Sequence, residues 1–174
     1  MGTCSIPILA SLDTKAGEAA YLRQRIEDLG WTAKVFDVGL GQTPSGLASV
    51  TAEEVALAGE SSVSELRAGY RRDLAMQAMG EGAGRLLEEQ HRTGRLAGGI
   101  GVGGNQGTAI TSTAMRALPI GLPKLLVSTV ASGNVRGYVG DSDIAMLFSV
   151  GDLLGGPNPV TERVLAKAAA AVVG

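Results

Sequence analysis

The feature that most constrains this chain is a rhythm of short apolar runs separated by segments with helical spacing. Residues 5–12 (SIPILASL), 31–39 (WTAKVFDVG), 96–104 (LAGGIGVGG) and 124–130 (KLLVSTV) are too short for core helices and rich in aliphatic side chains, as buried strands are. Residues 13–30 between the first two runs carry Tyr21, Leu22, Ile26 and Leu29 as a helical stripe, closed by Gly30. Residues 61–92 form a longer helical region. It is expected to bend around residues 79–84, where Gly80, Gly82 and Gly84 would weaken a free helix and suit close packing against a sheet. Further helices are expected over residues 108–118 and 158–172, the latter with Thr161 and Glu162 in its first turn. Thr51 with Glu53 and Glu54 opens a short one. Pro44 and Gly46 mark a turn, and residues 143–150 fit either a strand or a short helix.

Strands alternating with helices imply right-handed βαβ crossovers. The expected fold is therefore α/β: a three-layer, mostly parallel Rossmann-like sheet with helices on both faces. Residues 6–12, 34–38, 99–102 and 125–128 are expected to lie in it. At 174 residues the chain suits one domain.

Composition removes several function classes. A net charge of -2 with 3% aromatic residues supplies neither the basic stripe nor the stacking platforms of a nucleic-acid surface. No apolar run is long enough for a bilayer, and no signal peptide is expected, since no charged start precedes an apolar core. The opening MGTCSI begins like a myristoylation site but has Ile6 where a hydroxyl residue is needed. The one cysteine, Cys4, excludes an internal disulfide, and with only His91 beside it no metal site is expected. The expected compartment is the cytoplasm, with neither membrane nor nucleic acid as partner.

Ligands of such sheets sit beyond the carboxyl ends of the strands. Four segments qualify: LDTK, FDVG, GGNQGT and STVASGN. Gly99, Gly101 and Gly104 match G-x-G-x-x-G, but they fall within a strand rather than at the turn after it, so the dinucleotide fingerprint is discounted. There is no GxxxxGK[ST] loop. What remains is Gly103, Gly104, Asn105, Gln106, Gly107 and Thr108 at a strand-to-helix turn, whose N–H groups face either an anion or a tightly packed neighbour. Thr108 and Thr111 would add hydroxyl donors. Thr14 caps the first helix, and Lys15 reaches either a phosphate or solvent. Asp37 suits a ribose hydroxyl or a loop cap. Ser128, Thr129, Ser132 and Gly133 offer short donors at another strand end. Asp141 and Asp143 fix a turn in preference to holding Mg²⁺ through its waters. Arg67, Arg71 and Arg72 read as a solvated face. No Ser-His-Asp set, Cys–His pair or pair of catalytic carboxylates is present.

LDTK, FDVG, GVGGNQGTAITSTAMRALPIGLPKLLVSTVASGNV, YVGDSDIAMLFSV and the closing helix resemble one uncharacterised protein family. It shares the ATP-binding N-terminal region of the tomato mosaic virus resistance protein. The resemblance implies ATP as cofactor, with Mg²⁺, and a tendency to dimerise. It also implies a second α/β subdomain, so that residues 1–174 read as a single nucleotide-binding subdomain without its companion. The expected partners are a nucleotide and either a second copy or that second subdomain or chain. The helix carrying Gly80–Gly84 and residues 164–173 are the surfaces expected to self-associate.

The leading functional reading puts ATP phosphates on Gly103–Thr108, assisted by Thr14, Lys15 and the 128–133 loop, in part of an ATP-dependent phosphoryl-transfer or ligase enzyme. Two others stand beside it. One is a non-catalytic regulatory or oligomerisation module; the other is a sugar-phosphate or carboxylate-binding domain indifferent to the base.

Overall fold

A computed structural model describes residues 4–43, 46–69 and 71–174; the expected turn at Pro44 lies outside them. Five strands form one sheet: β1 (Ser5–Ala10), β2 (Thr32–Asp37), β3 (Gly99–Gly103), β4 (Lys124–Ser128) and β5 (Ala145–Phe148). Their order is β2-β1-β3-β4-β5, and every neighbouring pair is parallel. The chain reverses direction across the sheet between β1 and β3, so a crevice opens there above the carboxyl ends.

Helices α1 (Leu12–Asp28), α2 (Ala52–Ala58), α3 (Val63–Ala68), α4 (Arg72–Arg92), α5 (Asn105–Arg116), α6 (Arg136–Val139) and α7 (Pro159–Val173) complete the chain. Leu22 and Ile26 of α1 join Leu165, Ala168 and Val172 of α7 in the core on one face. Val55 of α2, Met79 and Leu87 of α4 and Ile110 and Met115 of α5 fill the other. The expected three-layer parallel architecture is the one found.

Several boundaries differ from the sequence expectation. Leu12 is not the last strand residue but the first of α1, because the Asp37 carboxylate accepts its N–H at 3.1 Å and starts the helix there. Thr14 is therefore not the N-cap; Ser11 holds that position. Leu29 is 48% exposed and falls outside the apolar stripe. α5 begins at Asn105, three residues before Thr108. Residues 145–148 form a strand.

The expected bend at residues 79–84 is absent: α4 runs unbroken, and the helical region divides instead after α3, ahead of Arg72. Its glycines pack against helices, not the sheet. A Cβ at Gly80 would lie 2.8 Å from the Thr113 side chain of α5, and one at Gly82 would run into the Val55 carbonyl of α2. These buried glycines are accordingly unavailable as a self-association surface.

α2 opens with a capping box: Thr51 Oγ1 accepts from the Glu54 N–H, and Glu54 accepts from the Thr51 N–H at 2.7 Å. Hydrogen bonds from the Thr51 backbone and then its side chain hold the Glu54 carboxyl below the ordinary glutamate value.

Candidate functional site

Two strand-to-helix turns meet at the β1/β3 crevice. From the first come Ser11, Asp13, Thr14 and Lys15; from the second come Gly103, Gly104, Asn105, Gln106 and Gly107. Together they line a cavity of about 690 Å³. α3 and α4 close its far side with Leu66, Arg67, Arg72 and Met76.

The glycines of β3 and its turn divide into two kinds. A Cβ at Gly101 would strike the Thr111 methyl and come within 2.7 Å of Leu126 Cδ1, and one at Gly103 would come within 2.9 Å of the Gly107 backbone. Those two let α5 lie close on the sheet. Gly104 is different: its φ is -84°, and a Cβ there would meet nothing nearer than Thr129 Oγ1 at 3.7 Å. A side chain there would make only an ordinary van der Waals contact with Thr129, without a clash.

The first i→i−4 bond of α5 runs from the Thr108 N–H to the Gly104 carbonyl, at 2.8 Å. The N–H groups of Asn105, Gln106 and Gly107 precede it and have no acceptor within the helix. With the partial positive charge of the helix end they favour an anion. Opposite them Lys15 is only 9% exposed, and its Nζ has a single long contact, 3.5 Å to the Thr14 carbonyl. At Lys15 the backbone leaves helical geometry, with φ -124° and ψ 19°. Among the described residues neither Lys15 nor Arg72 has an ion-pair partner. Glu18, one turn beyond Lys15, is fully buried with neither carboxylate oxygen hydrogen-bonded.

At the start of α4 the expected solvated basic face separates into three roles. Arg71 grips Asp73 with two hydrogen bonds, at 3.0 and 2.7 Å, which lower the Asp73 carboxyl to about 2. Arg67 donates to the carbonyls of Leu40 and Gly41, tying α3 to the loop after β2. Arg72 is exposed, as expected of a solvated face, and lines the cavity as well.

The remaining sequence candidates sit elsewhere. Thr108 and Ser128 are fully buried, and their hydroxyls bond to each other. Thr129 donates its N–H to the Gly103 carbonyl at 3.3 Å, behind the turn. Ser132 and Gly133 are exposed on the loop after β4 and do not line the cavity. Asp37 is buried, and its oxygens accept from Leu12 N–H, Gly39 N–H and the Thr43 hydroxyl; it faces a second cavity of about 550 Å³. Asp143 fixes a turn as expected, accepting from Gly121 N–H at 2.7 Å and pairing with Lys124 at 2.6 Å. Those bonds and the Gly121 N–H hold its carboxyl below the ordinary aspartate value, with Lys124 the largest influence.

The match to known proteins covers nearly the whole of this architecture. A family model described as "Uncharacterised protein family (UPF0261) N-terminal domain" matches residues 4–174. The chain belongs to the UPF0261 family. Similar relatives include a UPF0261 protein of Clostridium tetani, 39% identical over 97% of this chain and 42% of its own length. A second, from Rhizobium meliloti, is 40% identical over 96% of this chain and 41% of its own. The ToMV resistance protein Tm-1 of Solanum lycopersicum is 44% identical over 59% of this chain, which is 14% of the tomato protein. This UPF0261 domain thus spans about two fifths of the bacterial relatives' length. Among its described residues no helix is long and apolar enough to cross a membrane, and no group of three or more metal-ligating side chains occurs.

Proposed function

We propose that the UPF0261 domain binds ATP in the β1/β3 cavity, with the phosphates against the first turn of α5 and Lys15. One observation carries the reading: Lys15, a residue only 9% exposed and without an ion-pair partner among the described residues, lines the same cavity as the first turn of α5, whose leading N–H groups have no acceptor within the helix. A buried charge is costly unless paired, and an anionic ligand supplies the missing partner. Gly104 lines the cavity and brings bare backbone to its wall, where a phosphate oxygen could approach. Thr14, Gly103 and Gly107 shape the same wall. Ser128, Thr129, Ser132 and Gly133 act behind or beside it rather than on the ligand. Any Mg²⁺ would be carried by the phosphates and water, with Asp13 as the neighbouring carboxylate.

The apolar side of the cavity, with Leu66, Met76 and Ile110, suits a base better than a sugar phosphate alone. In the cell the domain would work in the cytoplasm. Its protein partner would be a second copy or the further portion that the longer relatives carry. Calorimetry with ATP, ADP, GTP, adenosine and tripolyphosphate, each with and without Mg²⁺, tests the reading. ATP and tripolyphosphate should bind and adenosine should bind much more weakly. Absence of binding by every polyphosphate overturns it. Release of ADP or AMP in the presence of a small-molecule acceptor would make the domain part of an enzyme rather than a regulatory module.

A further inference from the structure

We infer that Tyr138 is a positioning residue for the candidate site: its hydroxyl turns the Asn105 carboxamide so that the amide end, not the carbonyl, faces the cavity. The inference rests on the anion-binding reading above. Tyr138 OH donates to Asn105 Oδ1 at 2.6 Å, across 33 residues of sequence. Asn105 is the first residue of α5 and lines the cavity. Its two ends have opposite polarity, one accepting and one donating two protons. With Oδ1 engaged by a phenol that is itself outside the cavity lining, Nδ2 is left with no acceptor among the described residues. Both its protons then join the N–H groups of the α5 turn as donors. The opposite rotamer would set a carbonyl oxygen against the same anion.

Tyr138 is itself held. Arg116, in the last turn of α5, donates to the Tyr138 carbonyl at 2.5 Å and to Thr113 Oγ1 at 3.0 Å. A single helix thus fixes α6 at one end and receives its phenol at the other. α6 has no fully buried residue; Val139 packs against the core beside it, and these contacts add to that anchoring. No backbone requirement calls for a tyrosine at that position.

The test is calorimetry with tripolyphosphate on wild type, Tyr138→Phe, Asn105→Ala and the double variant, with side-chain amide NMR on the ligand-free proteins. Tyr138→Phe should weaken tripolyphosphate about fivefold to tenfold, the scale of one oriented hydrogen bond. In the Asn105→Ala background the same change should have no further effect. Without ligand, the Asn105 Nδ2 resonances should move and lose their separation in Tyr138→Phe while the melting temperature holds. Unaltered tripolyphosphate affinity in Tyr138→Phe overturns the inference alone. So does an equal loss in the Asn105→Ala background, because Tyr138 would then act by another route. A wild-type protein that ignores tripolyphosphate overturns the site reading itself, and the inference with it.

Discussion

The hydroxyls of Thr108 and Ser128 lie 2.6 Å apart with neither residue exposed, tying the first turn of α5 to the end of β4. Ser128 Oγ also accepts from the Val130 N–H at 3.1 Å. The Thr108 hydroxyl therefore serves the fold, not the cavity. Ser128→Ala leaves the Thr108 hydroxyl buried and unpaired and should destabilise by about 1–3 kcal/mol, while Thr108→Ala leaves Ser128 Oγ its Val130 N–H and should cost about 1 kcal/mol. Together they should cost less than the sum. Urea unfolding of the double-mutant cycle measures this, and ATP affinity should stay within about twofold of wild type. A selective loss of ATP affinity in Thr108→Ala would return the hydroxyl to the ligand.

Gly101 and Gly104 should respond to a side chain in opposite ways. Gly101→Ala forces a methyl toward Thr111 and Leu126 and should cost about 1–3 kcal/mol, with ATP affinity of the folded fraction unchanged. Gly104→Val meets ordinary backbone geometry and only a van der Waals contact with Thr129, so its melting temperature should hold while ATP and tripolyphosphate binding disappear. Thermal melts and calorimetry on both variants decide the matter. Intact ATP binding in folded Gly104→Val would remove the anion cradle at this turn.

Lys15 and Glu18 are buried one turn apart, a base beside an acid, so their neutral replacements should move anion affinity in opposite directions. Lys15→Met should weaken ATP at least tenfold, as expected for a charge-assisted contact of about 1.5–3 kcal/mol, while leaving adenosine unaffected. Glu18→Gln removes a nearby negative charge and should tighten ATP severalfold. Equal ATP affinities in both variants and wild type would exclude a role for either charge.

Acid should loosen the start of α2. The folded-state pKa of Glu54 is depressed, so its contribution is present above the unfolded value, near 4.5, and is lost as pH falls through the folded one. Thr51→Ala removes the cap and should cost about 1 kcal/mol at neutral pH. The gap between Thr51→Ala and wild type should narrow below about pH 4, where protonated Glu54 no longer reciprocates. Urea midpoints at pH 7 and pH 3 report the change. A constant gap would show that the Glu54 half of the box adds nothing.

The sheet was legible because β1, β3 and β4 are buried along their whole length and carry unbroken apolar runs. β5, half-exposed at an edge, has no such mark and reads equally as a helix. The α4 glycines misled for a physical reason: isolated propensity counts their entropic cost, whereas contact with α2 and α5 requires their missing side chains. The turn after β3 was recognised from its glycines, and Lys15 from its place after β1. Arg72 was passed over because all three arginines are exposed, as read, and nothing local marks the one that borders the cavity. Tyr138 carried no local signal, since its partner lies 33 positions away.

The seam between α2 and α4 reaches further than its own packing. Gly82 lets the Val55 carbonyl ride directly on α4, and α2 leads through residues 59–62 into α3, whose Leu66 and Arg67 form part of the cavity wall. A methyl group added at Gly82 would lever α2 outward and draw α3 with it. The gauge of the cavity mouth is thus set partly by an atom absent from the α2–α4 seam, where a substitution would reshape the opening without entering it.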